Sequence, residues 1–243
     1  MIPARSNFTQ WPPEKTLFPL EDVTVNILAG PHPYAVEAKE AIVANWAVEF
    51  ARNPRLFDGQ MVVNRAIHIE EGRIRTAAHL APFSAFLLWR KTRPLDKAVH
   101  LFVLPVILSS DGALIAVRMG AHTANPGKVY CASGSLDAHD IVDGRCDIPG
   151  NMRREVLEET GLDLAEAEAD PHYVGRHENG AVMVARIFRF SDDAETLVAR
   201  IAAHVAADPE PEIDGAVAII DTDPARYDYA SFMPDVIAWA LQR

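Results

Sequence analysis

The chain has 243 residues, with 23 Lys and Arg against 34 Asp and Glu and a formal net charge of −11. Without surplus cations to displace phosphate counterions, this balance speaks against non-specific nucleic-acid binding, so any phosphate handled here needs a metal ion or a local basic pocket. A hydrophobic share of 49% is ample for a buried core, and the length suits one large domain or two small ones.

The N-terminal stretch MIPARSNFTQWPPEKTLFPL has four prolines and scattered polar residues, not a charged start followed by an apolar core. No signal peptide is expected, and residues 1–20 read as an irregular arm. DVTVNIL alternates as a strand does; Gly30-Pro31-His32-Pro33 breaks it before a helix in which Ile42, Trp46 and Phe50 recur every four residues. Asn53-Pro54 ends that helix. Strands over 60–69 and 73–81 flank Glu70-Glu71-Gly72 as a hairpin, and a short helix over 84–91 turns Phe86, Leu87 and Trp89 inward. Arg93-Pro94 marks a boundary between an α/β subdomain of residues 21–96 and a second domain of residues 97–243.

The second domain opens with the most apolar run, Ala98 to Leu108, which is too short to cross a bilayer and is broken by His100 and Pro105. Asp111-Gly112 joins it to a second strand, ALIAVRM. Residues 121–128 form a loop, and VYCAS a short strand ending at Gly134. A glutamate-rich helix follows, then a hairpin around Asn179-Gly180, a helix over 194–207 burying Leu197, Ile201 and Val205, the strand AVAIID, and a closing helix over 235–242. Strands with helices on both faces suggest an α/β or α+β sandwich. Cys131 and Cys146 form neither a CxxC pair nor a zinc spacing, so reduced thiols, a cytoplasmic location and no membrane partner are expected.

REVLEETGL, Arg154 to Leu162, carries the chemistry. Its residues form helix readily, and Gly161 sits where a left-handed C-terminal cap belongs. At 100° per residue Glu155, Glu158 and Glu159 share one face, while Met152, Val156 and Leu157 turn toward the core. Three clustered anions repel, and a divalent cation would reverse the sign of that cost; hard oxygen donors suit Mg²⁺ or Mn²⁺. An isolated Glu-Glu pair is ordinarily a solvated face, but the whole string arises by chance with a probability on the order of 1 in 10,000 or less.

The string resembles the second half of the Nudix box, G-x5-E-x7-R-E-U-x-E-E-x-G-U with U apolar. The resemblance implies a Nudix α/β/α sandwich with a mixed sheet over residues 97–243, preceded by the smaller N-terminal subdomain. It implies a metal-dependent hydrolase of nucleoside diphosphates linked to another group. Glu155, Glu158 and Glu159 would be ligands to Mg²⁺ or Mn²⁺, and Arg154 would orient them through a salt bridge. Counting back without gaps puts Cys146 at the first glutamate and Asp140 at the glycine, so the first half departs from the pattern. VYCASGSLD is similar to the strand and glycine turn that open the box, and an insertion of six residues, in DAHDIVDGR, restores the order.

Gly134 would then give a backbone carbonyl to the metal. Asp147 has two even readings, a substitute for the missing glutamate or a helix N-cap. No neighbouring base favours Cys146 as a nucleophile. Arg118, Lys128 and Arg176 are candidate substrate-binding cations. Glu212, preferred over Glu210 and Asp214, is the candidate base beside Glu158. Helix and hairpin patterns before the box are similar to the branch that hydrolyses UDP-glucose and UDP-galactose, giving nucleoside monophosphate and sugar 1-phosphate. ADP-ribose and dinucleoside polyphosphates stand as alternative substrates, a catalytically inactive nucleotide-binding module as an alternative function, and a homodimer is compatible with this class.

Overall fold

The computed structural model describes residues 2–242. In chain order the elements are β1 (Phe18–Leu20), β2 (Asp22–Ile27), α1 (Pro33–Glu37), α2 (Lys39–Arg52), β3 (Gln60–Glu70), β4 (Arg73–Pro82), α3 (Phe83–Thr92), β5 (His100–Leu108), β6 (Leu114–Met119), β7 (Val129–Tyr130), β8 (Ile141–Val142), β9 (Arg145–Cys146), α4 (Ile148–Thr160), β10 (Glu168–Ala169), β11 (Tyr173–Glu178), β12 (Ala181–Arg189), α5 (Ala194–Ala207), β13 (Ile213–Ile219) and α6 (Met233–Ala240). Two compact units divide the chain. The first holds the chain up to Val103 together with Ser135–Ile148 and Val174–Val184; the second holds Leu104–Gly134, Pro149–Tyr173 and the chain from Ala185 onward.

In the first unit a five-stranded mixed sheet runs β3-β4-β2-β9-β8, with β2 parallel to β4 and the other pairings antiparallel. Its hairpins are built by local backbone chemistry. Glu71 and Gly72 (φ 49° and 70°) close β3 onto β4, and Asn179 and Gly180 (φ 48° and 71°) close β11 onto β12, with two successive positive φ values that suit the twist of paired strands. Asp143 and Gly144 repeat this chemistry (φ 49° and 76°). The stretch read from sequence as a bare insertion is therefore a hairpin, β8-β9, whose Arg145 pairs with Asn26 of β2. The core of this unit gathers Ile42, Met61, Val63, Phe86 and Trp89, with the Trp89 indole donating to the Ala98 carbonyl at 2.8 Å. Residues 2–20 run along it: Asn7 accepts from the Ile69 amide at 3.1 Å, Trp11 is buried against Phe8 and Phe18, and Phe18–Leu20 forms a strand beside β11.

In the second unit β6 is the organising strand. One edge takes β5 at Ile115 and Leu114 and then β7 at Val117 and Arg118; the other takes β13 along its length. Helix α5 packs on β13 and buries Leu197 and Ile201, and α6 buries Met233, Val236 and Ile237. The last strand spans Ile213–Ile219 and not 216–221, because a bulge at Asp214 lets it pair with Met119 at the far end of β6. VYCAS is a strand only over Val129–Tyr130, where β6 offers a partner edge. Helix α4 sits as expected, with Met152 and Val156 fully buried, but Leu157 is 49% exposed. At one position past Val156 it has rotated 100° away from the buried stripe. Gly161 ends α4 at φ 69°, its amide bonded to the Leu157 carbonyl at 2.9 Å. The mixed α/β class is as the sequence suggested. No helix among the described residues is long and apolar enough to cross a membrane.

Candidate active site

Helix α4 aligns the glutamates, and a single arginine spaces them. Arg154 places Nη2 2.8 Å from Glu155 Oε1 and Nη1 3.1 Å from Glu158 Oε2, so one guanidinium grips two acids of the same turn. Asn151 Nδ2 reaches Glu155 Oε1 at 3.5 Å. Glu158 stays 60% exposed, whereas Glu155 is largely covered.

What covers Glu155 is the turn that leaves β7. A Cβ at Gly134 would stand 2.0 Å from Glu155 Oε2, closer than any contact real atoms make, so the carboxylate occupies the space a side chain would take. One residue earlier, the Ser133 amide donates to the Glu159 carboxylate. Two of the three glutamates therefore meet the Ser133-Gly134 turn. β6 fixes that turn by holding Val129 and Tyr130 in register, and Val129 to Ala132 are all buried.

Glu159 is the strained member. Its Oε2 is shut off from solvent and, among the described residues, has no hydrogen-bond partner. Burial raises its pKa well above the ordinary carboxyl range, and the neighbouring charges of Glu155, Glu212 and Glu158 push the same way against the opposing Ser133 amide. Glu212 is exposed, and its carbonyl accepts from the Gly120 amide at 2.8 Å. That bond ties the start of β13 to the end of β6 and brings Glu212 within electrostatic reach of Glu159.

The other sequence candidates are dispersed. Arg118 is exposed on β6 opposite Val129. Lys128 lies one residue before β7 and is bonded to Asp228 Oδ1 at 2.6 Å. Arg176 belongs to the first unit, where its buried guanidinium forks onto Glu178 Oε2 at 3.2 and 3.3 Å. Asp147 immediately precedes α4, at the N-cap position, and its amide donates to the Asp140 carbonyl at 2.7 Å. Both cysteines are free and buried, and burial pushes each thiol up to about 12, which leaves Cys146 protonated and unfit as a nucleophile. Sequence reasoning missed Ser133, whose backbone amide leaves no trace in residue type. It also missed His204 of α5, whose Nε2 lies 2.9 Å from the Glu158 carbonyl and whose ring packs under Gly161.

Among the described residues no three His, Cys, Asp or Glu side chains converge closely enough to enclose a metal ion by themselves. The donor set still fits a hard cation: carboxylate oxygens beside a glycine turn, one of them buried without a partner.

No family model matches the chain, and no curated protein matches it. Among solved structures it is similar to the Nudix domain of Shewanella oneidensis NrtR, described as complexed with ADP ribose, at 16% identity over 60% of this chain and 89% of that one, with a TM-score of 0.43. It is also similar to a MutT protein from Methanosarcina mazei Go1, at 15% identity over 59% and 93% with a TM-score of 0.38. A third is RenU, a Nudix hydrolase from M. smegmatis, at 12% over 58% and 86%, also 0.38.

Proposed function

We propose that the chain is a Nudix pyrophosphatase that uses Mg²⁺ or Mn²⁺ to hydrolyse a nucleoside diphosphate linked to another group. The observation that carries this reading is the pair of contacts between α4 and the glycine turn: Glu155 filling the space at Gly134, and Glu159 held by the Ser133 amide with its second oxygen buried and unpartnered. A structural acidic face has no use for a desolvated carboxylate, because exposing Glu159 to water would relieve its cost.

Glu155, Glu158, Glu159 and the Gly134 carbonyl would hold the cation. When bound, it would neutralise the diphosphate and polarise the attacked phosphorus. The protein's own part is positioning. Arg154 keeps Glu155 and Glu158 apart and oriented, and the Ser133 amide fixes Glu159. Exposed Glu212 or Glu158 accepts the proton of the attacking water as its oxygen bonds to phosphorus and the P–O bond of the anhydride breaks. Arg118 would meet substrate phosphates, as would Lys128 after exchanging Asp228. Arg176 would bind substrate only on leaving Glu178, and Asp147 would act as a ligand only from its N-cap position. The preferred substrate is a nucleotide sugar such as UDP-glucose, giving nucleoside monophosphate and sugar 1-phosphate; ADP-ribose is the second choice.

The test is incubation with a panel of nucleotide sugars, ADP-ribose and dinucleoside polyphosphates in Mg²⁺ or Mn²⁺, with products resolved by chromatography, beside Glu159→Gln. Turnover by the wild type alone supports the reading. Equal rates in wild type and variant across the panel would sink it.

A further inference from the structure

The last four carbonyls of a helix have no amide of their own helix to bond. At the end of α4 the Leu157 carbonyl takes the Gly161 amide at 2.9 Å, while the Leu162 amide, next in register, bonds Thr160 Oγ1 at 3.2 Å. The Glu158 carbonyl is met from another helix, by His204 Nε2 of α5 at 2.9 Å. A carbonyl only accepts, so the imidazole donates. The fit is close: a Cβ at Gly161 would stand 2.7 Å from His204 Nδ1 and 2.8 Å from its Cγ. The bare glycine admits the ring, and with it α5, against the helix end.

Glu212, the candidate base, stands eight residues beyond His204, and the connection is short and stiff. The Asp208 amide closes α5 onto the His204 carbonyl at 3.1 Å, and Asp208 Oδ1 accepts from the Glu210 amide at 2.9 Å. Pro209 and Pro211 each hold φ at about −65°, which leaves Asp208-Pro209-Glu210-Pro211 few ways to bend. At the far end Glu212 is pinned through its carbonyl by the Gly120 amide, and α5 packs on β13, the strand that Glu212 precedes. His204 stands at the joint of two acid-bearing elements: α4 with Glu158 and Glu159, and the lead into β13 with Glu212.

We propose that His204 is a positioning residue of the hydrolase site: by holding the end of α5 to the end of α4, it sets how far Glu212 stands from Glu158 and Glu159. This role rests on the catalytic reading given above. Glu212 lies within electrostatic reach of Glu159, so the spacing is one that the carboxylates feel. A base must come within about 3 Å of the water it deprotonates, and a misplacement of about 1 Å can cost 100-fold in rate. Arg200, one turn before His204, provides the contrast. Its guanidinium joins Glu166 and Asp192 at 2.8 Å each, which strengthens the seating of α5 without touching α4.

The experiment is steady-state kinetics in Mg²⁺ with the nucleotide of the panel above that the wild type hydrolyses fastest, beside urea titration of each variant. His204→Ala should lower kcat about 30-fold with KM within about threefold of wild type, because no substrate contact is removed. His204→Gln, whose amide still donates to the Glu158 carbonyl, should recover to within about fivefold of wild type. Arg200→Met should cost similar stability yet leave kcat within about twofold. In a Glu212→Gln background, His204→Ala should change kcat by less than about threefold, since the two act as one unit. A kcat loss that Gln does not recover, or that Arg200→Met reproduces, makes His204 a packing residue and overturns the positioning role. Losses that multiply in the double variant overturn the route through Glu212. Should His204→Ala fail to fold, His204→Asn, whose amide is too short for the carbonyl, replaces it against His204→Gln. An active wild type with an indifferent His204→Ala overturns this role alone, whereas an inactive wild type overturns the catalytic reading with it.

Discussion

Helices α2 and α4 are nearly equal in length, 14 and 13 residues, and face solvent in opposite ways. α4 buries its apolar stripe completely at Met152 and Val156 and presents arginine and glutamate outward, yet one carboxylate oxygen, Glu159 Oε2, is shut off from solvent without a partner. α2 buries one residue and presents alanine, valine and phenylalanine. Each helix breaks the ordinary rule once, α4 with a hidden charge and α2 with open apolar surface. The cost at α4 is understandable if a cation is to come.

Substitutions should tell the two helices apart. Glu159→Gln should lower kcat/KM by about 1,000-fold or more, equivalent to ~4 kcal/mol of transition-state stabilisation, whereas Val48→Glu should leave the rate unchanged. Glu159 also sets a pH dependence. A carboxyl whose folded pKa is raised favours folding below its ordinary value, and that contribution is lost as pH rises toward the folded pKa. Metal-free protein should thus melt lower at neutral than at mildly acidic pH, and Glu159→Gln should flatten that slope in calorimetry. A slope unchanged in the variant would remove Glu159 as its source.

Gly134→Ala should cost about 100-fold in activity with a stability change below about 1 kcal/mol, because the obstructed atom is the movable end of Glu155 and not backbone. A large loss of melting temperature would contradict this. Gly161→Ala should do the reverse, destabilising by about 1–3 kcal/mol in urea titration, since its φ of 69° is left-handed and its Cβ would stand 2.7 Å from the His204 ring. Smallest is Asp147→Ala. As an N-cap it should cost about 1 kcal/mol and spare kcat, while loss of turnover with unchanged stability would mark it as a ligand.

Most elements were legible because their signals are local. Glu71-Gly72 and Asn179-Gly180 specify their hairpins, and Gly161 specifies its cap. Asp143-Gly144 carried an equal signal but lay inside a stretch read as insertion, where flanking strands of two residues leave no periodicity to notice. The site was half legible. Side-chain type and spacing singled out Glu155, Glu158 and Glu159 beside Arg154 as candidates, whereas Gly134 entered only through the resemblance. The Ser133 amide and the His204 contact depend on tertiary placement, and the burial of Arg176 beside Glu178 follows from packing that no local spacing encodes. Leu157 shows the same limit on α4: apolar type alone did not reveal which side of the stripe edge it would take.

The space at Gly134 has a consequence for how the sequence can drift. Every amino-acid replacement reachable from a glycine codon adds a Cβ, and here any Cβ lands on the Glu155 carboxylate. Position 134 therefore has no neutral neighbours in sequence space. In a saturation library selected for turnover it should appear as a blank column, beside the tolerant exposed position Glu210, with no intermediate grades of substitution between them.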